Sequence, residues 1–306
     1  DIVHTHNPKP GVYGRLAARA AHVPAIVNTV HGLYATPEDR LVKRAAVYSL
    51  ERLAAMASDA ELVQNPEDIS TLRSLRVAAD KLTVLGNGVD LDRFRPDRID
   101  PTRRADVRVE WGAGPDDIVC GAVGRLVWEK GYRELFAAAR CLRGHQPRVR
   151  FVVAGGLDEA KADQLSRADL DAIGAQADIT FVGLRDDVED LYPAMDLYVL
   201  ASHREGFPRS AMEAAASGLP VVATDIRGCR QVVATGTTGI LVPPRSAVAL
   251  ATAISSIADD TPLRIAMGRA AVAKARAEFD DRAIVDITLR TYDRLLARPS
   301  RRKASR

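Results

Sequence analysis

The chain is 306 residues long, 47% hydrophobic and 27% charged, an ordinary globular balance with length for about two domains of roughly 100–200 residues each. A net charge of +3 with only 5% aromatic residues argues against nucleic acid as a partner. Three scattered cysteines (Cys120, Cys141, Cys229) form no metal-ligand spacing and fit a reducing, cytoplasmic compartment, and no apolar run approaches the roughly 20 residues that span a bilayer.

The sequence opens with Asp1–His6, which reads as the end of a strand, so further chain is expected before it. Short Val- and Ile-rich runs follow at Ala25–Val30, Ala60–Val63 and Leu82–Leu85, with a helical pattern over Asp39–Met56. Gly86-Asn87-Gly88 marks a turn, and the charged, proline-bearing stretch Arg93–Arg108 reads as a linker poor in core residues. Beyond it the runs Ile118–Val123, Val149–Ala154, Ile179–Val182, Leu197–Leu200, Leu219–Ala223 and Gly239–Val242 recur, with helical patterns at Tyr132–Arg143, Ser246–Ala258 and Pro262–Phe279. Continuous apolar strands alternating with helices predict an α/β chain with doubly wound parallel sheets. The expected division is a partial first domain over 1–98 and a complete second domain over 99–280. A helix over 281–297 is expected to pack back toward the first domain, before a solvated basic tail, 298–306.

Two loops carry the chemistry. Glu205-Gly206-Phe207-Pro208 follows the strand ending at Leu200, at the carboxyl edge where open α/β sheets bind ligands. Pro208 suits the first turn of a helix, which puts Glu213 about one and a half turns in. The helix start favours an anion, and the two carboxylates beside it can accept hydrogen bonds from sugar or ribose hydroxyls. The second loop, Gly124-Arg125 through Lys130-Gly131, also leaves a strand and enters a helix. Arg125 and Lys130 there suit a diphosphate, whose charge they would neutralise as a leaving group. His31, at the end of Ala25–Val30, is placed to donate to a phosphate or a sugar hydroxyl. His4 and His6 read mainly as structural, His6 being the weaker second candidate. Gly155-Gly156 reads as a tight turn and lacks the spacing of a dinucleotide site. Asp90-Leu91-Asp92 and Asp169-Leu170-Asp171 read as turn or helix-start acids, so no metal site is expected.

These motifs, with Gly218-Leu219-Pro220 and Gly86-Asn87-Gly88-Val89-Asp90, resemble glycosyltransferase family 4 along nearly the whole chain. The resemblance implies a GT-B fold, two Rossmann-like domains facing a cleft, the first incomplete here. It implies a metal-independent retaining transferase that moves a hexose or N-acetylhexosamine from a nucleotide-diphosphate sugar, UDP ahead of GDP, to a saccharide or lipid-linked acceptor. No cofactor is implied beyond that substrate. By the same resemblance, Arg125 and Lys130 hold the diphosphate, and Glu205, Gly206, Phe207 and Pro208 hold the sugar. Glu213 meets the ribose, Leu184 and Arg185 meet the base, and His31 lies beside the reacting sugar. Gln231 departs from the family's usual glutamate. A basic helix carrying Arg40, Lys43, Arg44 and Arg52 suits peripheral contact with the inner face of a membrane or a solvated surface equally. The rival readings are a catalytically impaired nucleotide-sugar-binding module and a nucleotide-sugar epimerase.

Overall fold

The computed structural model describes residues 1–35, 39–146, 148–158 and 160–297; the basic tail expected at 298–306 lies outside them. The chain divides into two compact units, residues 1–88 with 281 onward, and residues 89–280.

The first unit begins β1 (Ile2–His6), α1 (Pro8–Ala20), β2 (Ala25–Val30), α2 (Leu41–Ala57), β3 (Ala60–Val63), α3 (Glu67–Ser74) and β4 (Leu82–Val84). Its four strands lie parallel in the order β1-β2-β3-β4. Side chains alternate between the two faces of a strand. Val30, Val63 and Leu72 share a core with Leu33, Ala55 and Val77, whereas Val27, Ala60 and Leu62 belong to a separate core. α1 shows no strong sequence signal beyond Pro8 in its first turn and was absent from the elements expected above.

The second unit runs α4 (Pro101–Glu110), β5 (Ile118–Val123), α5 (Tyr132–Arg143), β6 (Val149–Ala154), α6 (Arg167–Ala177), β7 (Ile179–Gly183), α7 (Val188–Leu191), β8 (Leu197–Leu200), α8 (Arg209–Ala216), β9 (Val221–Thr224), α9 (Arg227–Val232), β10 (Gly239–Val242), α10 (Ala247–Asp259) and α11 (Thr261–Glu278). Its sheet is six-stranded and parallel, ordered β10-β9-β8-β5-β6-β7. The chain therefore builds outward from β5 to β7, returns to the other side of β5 with β8, and builds outward again. Ligand crevices of doubly wound sheets open at this reversal, outside the carboxyl ends of β5 and β8. Buried residues line both faces of the sheet.

Two expectations are corrected. The stretch Arg93–Arg108 is no bare linker: Asp100 caps α4 through a 2.8 Å bond from the Arg103 amide, and Val89, Phe94, Val107 and Trp111 are buried in the second unit's core. Arg108, also buried, donates to the Ala194, Gly114 and Asp117 carbonyls and to Asp196. The division accordingly falls after Gly88 rather than after residue 98. The last helix, α12 (Asp281–Leu296), belongs to the first unit, where Ile284, Ile287, Tyr292 and Leu295 cover Ala25, Val27, Ala60 and Leu62.

Candidate functional site

In the second unit the loop after β5 ends in a tight turn, Trp128–Lys130, closed by Gly131 at φ 74°. A Cβ at Gly131 would overlap the carbonyl of Ala201, just past β8, so the two loops flanking the chain reversal approach at van der Waals distance only because this residue is glycine. The turn delivers Lys130 across the reversal. Its Nζ donates to Glu205 Oε1 at 2.6 Å, with both side chains largely buried. The buried Ser202 donates its Oγ to the same carboxylate oxygen at 2.7 Å, and Thr224 anchors Ser202 through its carbonyl. Beneath Glu205, Gly228 leaves room for the Glu205 backbone; a Cβ there would come within 2.7 Å of its carbonyl oxygen.

Arg125 is less tightly held. Its guanidinium is about half exposed and pairs with Asp158, in the loop after β6, at 2.8 Å. That loop crosses close to Gly124, because Gly155 has no Cβ to strike the Gly124 carbonyl. Gly206 and Phe207 lead from Glu205 into α8, with the Phe207 ring edge-on to Phe279 at 6.1 Å. Pro208 stands at the N-cap of α8, just ahead of its first helical residue Arg209, rather than inside the first turn as expected. Glu213 lies in the second turn. Tyr192 donates to its Oε2 at 2.9 Å and Arg209 to its Oε1 at 3.2 Å. Burial pushes the Glu213 carboxyl above the usual range, against the pull of those two donors.

The expected base-binding residues, Leu184 and Arg185, stand in different surroundings. Leu184 is exposed and lies against Gly156. Arg185 instead donates to Asp187 through two nitrogens at 2.8 Å each and to Glu110 of α4 at 2.6 Å; these bonds hold its pKa above the ordinary value. Asp169 sits at the third position of α6 in a reciprocal capping box with Ser166, and Asp90 accepts from the Asp92 and Arg93 amides in a turn. Among the described residues no group of three or more His, Cys, Asp or Glu could hold a metal ion.

In the first unit His31 follows β2 on the rim of a cavity of about 430 Å³, whose walls include Pro8, Pro10, Tyr13, Leu33, Val47 and Leu50. At its base Arg15 is buried and donates to Glu61 at 2.8 Å, to Glu51 at 2.9 Å and to the Gly11 carbonyl at 2.8 Å. Asn28 and Ser58 also donate to Glu61. Burial raises the Glu61 carboxyl above its usual value although Arg15 and the hydroxyl oppose it. His31 Nδ1 meets Gln64 Oε1 at 3.1 Å and its Nε2 meets His6 Nδ1 at 2.9 Å.

The structure thus joins Lys130 to Glu205, sets Glu213 on the following helix, and adds Ser202, Asp158, Tyr192 and Arg15, which motif reading missed. Ser202 alone carried a local hint, lying three residues before Glu205. The partners of Tyr192 and Arg15 lie 21 and 46 residues away.

Residues 104–274 match the family model described as glycosyl transferases group 1, and residues 1–93 match that of glycosyltransferase family 4. The chain is 30% identical over 260 residues to the putative glycosyltransferase EpsD of Bacillus subtilis, covering 84% of this chain and 67% of that protein. It is 30% identical over 269 residues to the Escherichia coli UDP-Gal:alpha-D-GlcNAc-diphosphoundecaprenol alpha-1,3-galactosyltransferase, covering 87% and 68%. Among solved structures, sucrose-phosphate synthase from Thermosynechococcus elongatus matches with a TM-score of 0.82 at 26% identity, over 97% of this chain and 74% of that one.

Proposed function

The chain belongs to glycosyltransferase family 4 and has the GT-B fold, and from that premise we propose that it moves a hexose or N-acetylhexosamine, with retention, from a nucleotide-diphosphate sugar to a saccharide or lipid-linked acceptor. The observation that carries the reading is the Lys130–Glu205 contact at the chain reversal between β5 and β8. An ammonium and a carboxylate set side by side there suit the two halves of a sugar diphosphate. Lys130, with Arg125, takes the diphosphate; Glu205, held by Ser202, accepts from the sugar hydroxyls. The backbone from Gly206 to Pro208 lies along the sugar. Glu213, braced by Tyr192, takes the ribose hydroxyls, and Leu184 lies against the base. Neutralising the phosphates favours departure of the leaving group, one of whose oxygens takes the acceptor proton in a same-face attack. No protein-bound metal is needed for this scheme.

The E. coli relative is named for UDP-Gal and a diphosphoundecaprenol acceptor, which favours UDP and a lipid-linked acceptor here. The apolar walls of the cavity beside His31 support the same acceptor class. So does α2, which exposes Leu41, Val42, Leu53 and Met56 along a helix carrying Lys43, Arg44 and Arg52, a composition suited to an anionic bilayer surface. Among the described residues no helix is long and apolar enough to cross a membrane.

The test pairs calorimetry with a transfer assay. Lys130→Ala is expected to weaken UDP binding about tenfold or more, the loss of a charged phosphate contact, and to abolish transfer. Glu205→Ala is expected to abolish transfer while UDP binding stays within a few-fold. Wild-type turnover in both variants, or no binding of UDP or GDP by the unmodified protein, would overturn the reading.

A further inference from the structure

One face of the first sheet changes character along its strands. β1 presents Ile2, His4 and His6 in turn; β2 presents Val27 and Thr29, followed by His31; β3 presents Leu62, followed by Gln64. Residues two apart share a face, so the apolar positions meet α12 while the carboxyl ends gather three imidazoles. The His4 and His6 rings lie 4.3 Å apart, and those of His6 and His31 5.2 Å apart. His4 is held at both nitrogens, by Tyr292 at 2.5 Å and Thr29 at 2.8 Å. His6 Nδ1 meets His31 Nε2, and His31 Nδ1 meets Gln64 Oε1.

The hydrogen positions follow from the side of the Gln64 amide that faces His31, here its oxygen. An amide oxygen only accepts, so His31 Nδ1 carries a hydrogen and donates it to Gln64. A neutral imidazole has one such hydrogen, which leaves His31 Nε2 as a lone pair and makes His6 Nδ1 the donor to it. We propose that His6 is a positioning residue for His31, holding its ring in place as the Nδ1–H tautomer. The kinetic consequence rests on the proposed function and on the role that the family resemblance implies for His31; the tautomer does not.

The titratable groups facing the pair are His4 from β1 and, through His4, Tyr292 from α12, while Thr29 and Gln64 are neutral. Among the described residues no carboxylate hydrogen-bonds to any of the three rings. Burial, reinforced by His31, holds His6 below the ordinary imidazole value.

The test uses the full chain, nitrogen-15 labelled, with two-bond proton–nitrogen spectra of the histidine side chains at pH 7.5. His31 is expected to show a protonated Nδ1 and a lone-pair Nε2. His6→Ala should shift His31 toward a mixture of tautomers, and His6→Asn, whose amide N–H can replace the lost donor, should restore the original pattern. In the transfer assay, His6→Ala should lower kcat between about tenfold and a hundredfold, the cost of misplacing a reacting group, with the donor KM within about twofold, and His6→Asn should recover most of the loss. A protonated Nε2 on His31 in the unmodified protein, or an unchanged His31 pattern in His6→Ala, overturns the positioning. An altered pattern with full kcat overturns its kinetic role. The expected pattern in a protein that transfers no sugar upholds the positioning and defeats the proposed function instead.

Discussion

At the scale of single residues, burial and neighbouring charge set the chemistry. His4 titrates at about 4, chiefly because it is buried and further because His6 and His31 lie beside it. In the unfolded chain the same ring takes its proton at the ordinary 6.5. Above that pH both states are neutral and the contribution to stability is complete. As pH falls from 6.5 toward 4 the unfolded state binds the proton first, so stability is lost across that window and levels off below it. Urea midpoints measured between pH 7.5 and 4 should fall less steeply in His4→Gln than in the unmodified chain; equal slopes would show that His4 does not contribute. Lys130 and Glu205 were readable from sequence because each follows a strand and stands next to a glycine. Tyr192, Asp158 and Arg15 were not, since nothing local distinguishes a tyrosine under a carboxylate from one in an ordinary core.

At the scale of elements, the turn ahead of α5 positions the lysine. Gly131 and Gly112 both have positive φ, 74° and 71°, but a Cβ at Gly112 would meet nothing within 4 Å whereas one at Gly131 would overlap the Ala201 backbone. Gly112→Ala should therefore cost about 1 kcal/mol, the left-handed penalty alone. Gly131→Ala should cost about 2 kcal/mol more, and it should also weaken UDP binding by displacing Lys130. Denaturation midpoints and nucleotide calorimetry on the two variants decide this, and equal losses in both would refute it. The strands β2, β3, β5, β6, β8 and β10 match their sequence runs residue for residue, because parallel strands covered on both faces read as predominantly apolar runs. α4 escaped notice for the converse reason. Its start signals, Asp100 and Pro101, were present, but its inward face includes Arg108, whose partners Ala194 and Asp196 lie some 90 residues on. A charge that reads as solvated in sequence is here a buried clamp.

At the scale of the whole molecule, the alternation of strands and helices disclosed parallel sheets but not their order. Which strand lies beside β5 depends on the chain turning back at β8, and no local pattern records that. The discontinuous first unit leads to a further expectation. Residues 89–280 contain their entire sheet and both layers of its core, and should melt cooperatively on their own and bind UDP. Residues 1–88 lack the apolar cover of Ile284, Ile287, Tyr292 and Leu295, and should show no cooperative melt until 281–297 is joined to them through a linker. A sharp transition from 1–88 alone would contradict this. The position of α12 also orders events on the ribosome. The second unit can close as soon as it emerges, but the sheet of the first, made earlier, keeps an uncovered apolar face until nearly two hundred later residues have been translated. The sheet made before the second unit is thus completed after it, and during that interval it is the segment most in need of a chaperone.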